Sequence, residues 1–84
     1  MKEKMIDKIG QVTCGEIDAG ELPGSTTERI TVGLALNALE KTNPSFKGDE
    51  ERAWWRLEPY QCDIVRAFSP AYRTRKWAQL ARLA

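Results

Sequence analysis

Eighty-four residues with thirteen basic and twelve acidic side chains, a net charge of +1 and 42% hydrophobic residues describe one small folded unit, not a disordered chain. A chain this short buries only a little over ~60% of its unfolded surface, so it must use every apolar face or enlist a partner. Histidine is absent, which removes the commonest general base, the usual triad member and the commonest metal ligand together.

The N-terminus, Met1-Lys2-Glu3-Lys4-Met5-Ile6-Asp7, mixes charges and leads into no apolar stretch, so a signal peptide is not expected. No apolar run nears the ~20 residues needed to span a bilayer. The two observations point to a cytoplasmic protein without membrane contact. Residues 1–24 hold Gly10, Gly15, Gly20, Gly24 and Pro23, which argues for an irregular, glycine-rich arm. Within it, Lys2 to Ile9 predicts a short helix with Met5, Ile6 and Ile9 on one side and Gly10 as its stop. Residues 11–18 alternate polar and apolar in short pieces, as a small hairpin or an irregular segment would.

From residue 25 the signals sharpen into a helical core over 25–84. Ser25-Thr26-Thr27-Glu28 reads as a capping box. The run Ile30 to Leu39 is apolar almost all round, so its helix belongs in the middle of the fold. Gly33 inside it implies close approach by a neighbouring element, and Pro44 predicts the end of the helix just before it. Asp49-Glu50-Glu51 opens a second helix, with Asp49 suited to the N-cap and Ala53, Trp54 and Leu57 facing inward. Pro59 suits the first position of a third helix, whose core face is read from Tyr60, Ile64, Val65 and Phe68. Ser69-Pro70 starts a fourth, from Ala71 to Ala84, with Tyr72 and Trp77 expected in the core. The fold class expected is therefore all-α: one domain over 1–84, with three to four short helices behind the arm.

Cys14 and Cys62 stand far apart without a CxxC spacing. Reduced thiols are the expectation in the cytoplasm, and a disulfide pinning the arm to the helices is the alternative under oxidising conditions. Zinc needs about four ligands, which two cysteines without histidine do not supply. No metal or cofactor is expected. Paired carboxylates would need a cleft, which a chain this small seldom builds. The glycines of the arm fit neither phosphate-loop spacing, and Glu21 among them would repel phosphate.

Charge is distributed unevenly. Residues 1–51 carry six bases and ten acids, a net −4, whereas 52–84 carry seven bases and two acids, a net +5. Six of those seven bases are arginine, the side chain that grips phosphates and carboxylates in bidentate fashion. One reading is nucleic-acid binding through the last two helices by Arg66, Arg73, Arg75, Lys76 and Arg82. The helix-turn-helix pattern fits poorly, because Arg66 stands where an apolar residue is preferred, Ala71 where a turn glycine is usual, and Pro70 makes the turn abrupt. The other reading starts from Trp54 and Trp55. Adjacent helical side chains diverge by ~100°, so if Trp54 enters the core with Leu57, Trp55 lies near Arg52 and Arg56 on a more exposed side. An exposed tryptophan flanked by arginine has the composition of a protein-binding hot spot. The alternative is that the arm covers Trp55. The function expected is a non-enzymatic inhibitor or adaptor of a larger host assembly, by analogy with small proteins of phages and mobile elements. A homodimer would also cover the apolar first helix of the core.

Overall fold

The structure is a computed structural model describing residues 2–74; it resolves these signals into six short α-helices and two 3₁₀ turns, with no strand among the described residues. Helix α1 runs from Lys2 to Thr13. Met5 and Ile9, one turn apart, are buried, while Ile6 lies round the helix and is 40% exposed. The helix passes through Gly10 and stops at Gly15, where φ is +83°. There the Gly15 N–H donates to the Val12 carbonyl at 3.1 Å and the Glu16 N–H to the Gln11 carbonyl at 2.9 Å. These paired bonds are a Schellman termination, which needs a left-handed residue only just past the helix end. A glycine within the helix merely weakens it. Of residues 11–18, expected as a hairpin or an irregular segment, 11–13 complete the helix, 14–16 cap it, 17–18 are irregular and no strand forms. A 3₁₀ turn, Ala19–Glu21, follows, with the Asp18 carboxylate accepting the Gly20 N–H at 3.1 Å.

Helix α2 (Thr26–Ala35) begins with the expected capping box: the Ser25 hydroxyl accepts the Glu28 N–H at 3.3 Å and Glu28 accepts the Ser25 N–H at 3.0 Å. Lys8 of α1 reaches the same carboxylate at 3.1 Å and the Pro23 carbonyl at 3.3 Å. Residues Ile30 to Ala35 are all buried. Ile30 and Leu34 join one apolar cluster with Leu39, Phe46, Trp54, Cys62, Val65 and Tyr72. Val32 and Ala35 join another with Met5, Ile9, Leu22 and Ile64. A helix apolar on every side therefore sits between two packed layers, as its pattern predicts.

The helix expected to continue to Leu39 breaks earlier. Asn37 takes a left-handed φ of +56°, and the Ala38 N–H closes onto the Gly33 carbonyl at 2.7 Å. The chain then turns back as α3 (Leu39–Thr42) and packs against α2 at Gly33. A Cβ on Gly33 would lie 3.0 Å from Leu39 Cα and would clash with the Thr42 hydroxyl oxygen. The close approach that Gly33 implied is real, and the approaching element is the next stretch of chain.

A second 3₁₀ turn, Pro44–Phe46, leads to α4 (Glu50–Trp54), α5 (Pro59–Phe68) and α6 (Ala71–Thr74). Asp49 occupies the N-cap of α4, but its side chain makes no cap bond. Ala53 and Trp54 are buried, and Leu57 packs against their cluster. Pro59 opens α5, and Gln61 Oε1 accepts the Glu58 N–H at 2.9 Å. That bond lets a glutamine sit in the core at 1% exposure. The buried face of α5 is Gln61, Cys62, Ile64 and Val65, and Phe68 is 43% exposed instead of buried. At that end the core is closed by Tyr72 of α6, which is 2% exposed. Trp77 and the rest of the expected fourth helix lie outside the described residues. No helix among the described residues is long and apolar enough to cross a membrane.

Candidate functional site

The two tryptophans part as adjacent helical residues must. Trp54 is fully buried, its ring stacked on Tyr72 with centroids 5.4 Å apart and planes 13° apart. Trp55, at the C-cap of α4, is 48% exposed. Its Nε1 donates to Glu51 Oε2 at 3.4 Å, four residues earlier. The N-terminal segment does not cover it.

Arg52 lies on α4 and Arg56 in the turn that follows its C-cap. Both guanidiniums lie over the ring of the buried Phe46, at 4.6 Å and 5.7 Å from its centroid. The guanidiniums themselves thereby roof an apolar ring. Arg52 also meets Asp49 at 3.5 Å. Arg56 has no acidic partner among the described residues. Arg52 and Arg56 thus share the Phe46 platform, and Trp55 lies between them in the chain with its indole on Glu51. Phe46 escaped the sequence reading because it lies in a 3₁₀ turn, outside any periodic segment.

The arginines considered for nucleic acid behave differently. Arg66 is 8% exposed, its guanidinium 5.0 Å from the Trp54 ring centroid and its Nη1 2.9 Å from Asp63 Oδ1. Arg73 turns back onto the end of α5, donating from Nε to the Arg66 carbonyl at 2.8 Å and from Nη2 to the Ala67 carbonyl at 3.0 Å. A cation there satisfies terminal carbonyls and the negative end of the helix dipole. These two side chains are engaged in holding α6 and Trp54 in place. Arg75, Lys76 and Arg82 lie outside the described residues.

Nucleophiles and ligand sets are sparse. Cys14 is exposed and Cys62 buried, and both thiols are free, so no disulfide links the first helix to the core. Burial pushes the Cys62 thiol up to about 11, which keeps it protonated and a poor nucleophile at neutral pH. Glu28 is held down at about 2, first by the Ser25 backbone N–H and next by Lys8, so its carboxylate serves the helix cap. Glu40, Lys47 and Glu50 line a cleft of about 220 Å³ beside Tyr72, whose hydroxyl donates to Glu50 Oε2 at 2.5 Å. Among the described residues no group of three side chains is arranged to hold a metal ion.

Compared with known families, curated proteins and solved structures, the chain matches none.

Proposed function

We propose that this protein is a non-enzymatic binding module, an inhibitor or adaptor, that engages a protein partner through the face centred on Trp55. The observation that carries the reading is the exposure of Trp55 at 48% beside a neighbour, Trp54, at 0%. An indole left half in water, next in sequence to Arg56 and hydrogen-bonded to Glu51, offers a large apolar contact. Covering it returns about 25 cal/mol per Å² of apolar surface. Tryptophan and arginine are also the residues most enriched at the energetic centre of interfaces.

The test is Trp55→Ala in the full chain. The melting curve is expected to stay within ~0.5 kcal/mol of the parent, as for surface substitutions, while capture of a partner from nuclease-treated host lysate is lost. A loss of several kcal/mol in stability would place the ring in the core. Capture that vanishes with nuclease and ignores Trp55 would favour the nucleic-acid reading, whose residues Arg66 and Arg73 are here engaged within the protein.

A further inference from the structure

Resting on Trp55 as the contact centre, we infer that the partner is a protein segment presenting a carboxylate beside the apolar group that covers the indole, and that Arg56 receives this carboxylate. Arg52 and Arg56, four residues apart, lie over the same ring, yet only Arg52 has an acid beside it, Asp49 at 3.5 Å. Arg56 has none among the described residues. A guanidinium laid over an aromatic face keeps its N–H donors in the plane of its edge, which is where a carboxylate binds in bidentate fashion. Phe46 is itself buried, so the platform under Arg56 is fixed by the core and the edge is presented in advance of binding.

The surrounding acids favour a single carboxylate over a polyanion. Asp49, Glu50 and Glu51 precede Arg52, Glu58 follows Arg56, and Glu51 lies against the Trp55 indole itself. Duplex DNA brings about one charge per 1.7 Å of its axis, and such a backbone laid across this face would meet those carboxylates along with the arginines. A single carboxylate needs only the free edge of Arg56 and can stand clear of most of these acids, which an extended polyanion cannot.

The experiment is a selection of short random-sequence peptides displayed on phage against the immobilised full chain, repeated with Trp55→Ala, Arg56→Glu and Arg56→Lys. The parent is expected to select peptides that need Trp55 and are enriched in Asp or Glu next to an apolar residue. Arg56→Glu is expected to replace that enrichment by Lys and Arg. Arg56→Lys, which keeps the charge but loses the planar fork, is expected to weaken the selected peptides about tenfold. Circular dichroism identifies any variant that fails to fold, and Arg56→Lys then carries the comparison. Peptides that need Trp55 but show no acidic enrichment would overturn the inference and leave the contact centre standing. Peptides indifferent to Trp55, or an empty selection against the parent, would overturn both. So would a random-sequence DNA duplex that displaces the peptides at ~150 mM salt, or a dimer of the chain that dissociates on Trp55→Ala.

Discussion

The Arg66 guanidinium lies 5.0 Å from the centroid of the Trp54 ring, on a side chain only 8% exposed. An arginine in that position is part of the packing as much as of the charge distribution. It ties α5 to the aromatic centre of the larger cluster, and its Asp63 partner sits on the same helix. Replacing Arg66 with Met keeps the stem and removes the cation. The expected cost is about 2 kcal/mol, the scale of a desolvated cation–π contact, read from urea unfolding. A variant as stable as the parent would return Arg66 to the surface and revive its candidacy as a phosphate contact.

Gly33 should tolerate no side chain. Alanine favours a helix by up to ~1 kcal/mol over glycine, so propensity alone predicts that Gly33→Ala stabilises. The methyl would instead meet Leu39 Cα at 3.0 Å and the Thr42 hydroxyl. Overpacking of this kind costs about 1–3 kcal/mol, and net destabilisation is expected in thermal or chemical denaturation. Adding Thr42→Ala should recover part of the loss and leave the part due to the Leu39 backbone.

Acid stability should carry the signature of Glu28. Its carboxylate is held at about 2 in the folded chain against an ordinary 4.5. A depressed folded value means that the ionised group stabilises the fold fully above about pH 4.5 and loses this effect as pH falls toward about 2. Glu28→Gln should therefore cost stability at pH 7, on the order of 1 kcal/mol for a weakened cap. It should also be less sensitive to acid through that window. Unfolding midpoints followed from neutral to acid pH for the two proteins decide the matter, and parallel curves would remove Glu28 from the account.

Thiol labelling should distinguish the cysteines without mutation. Cys14 is exposed, whereas Cys62 is buried with its thiol pushed up to about 11. Iodoacetamide on the native protein is expected to add once, at Cys14, and a second time only in denaturant. Two adducts on the folded chain, seen by mass spectrometry, would show that α5 opens readily.

Much of this architecture is legible locally. The capping box at Ser25 and Glu28, the proline at the head of α5 and the divergence of Trp54 from Trp55 all follow from spacing and residue type. The misreadings fall where several options are equal on propensity, and hydrogen bonds or packing decide between them. Gly10 and Gly15 both suit a helix stop, and the choice falls on Gly15, where the Schellman bonds close. Asn37 lies in a run that continues as helix on propensity alone, and the break is stabilised by α3 folding onto Gly33. Phe68 fits the apolar period of α5, but Tyr72 arrives from a later segment to close that end of the core. Of the candidate surface, the exposure of Trp55 opposite a buried Trp54 was readable from their adjacency. The platform of Arg52 and Arg56 was not, because nothing near Phe46 in the chain announces that two arginines will lie across it.

The tuck of α3 onto Gly33 also bears on how fast the chain folds. The contacting residues are separated only by residues 34–38, so the contact requires little loop-closure entropy and can form before any distant pairing. Loops of this size close in about 10–100 ns, far faster than the docking of α1 or α5 across the chain. The α2–α3 turn is thus suited to act as the folding nucleus, on which the two apolar layers then condense. Crowding it at Gly33 should slow refolding more than it speeds unfolding.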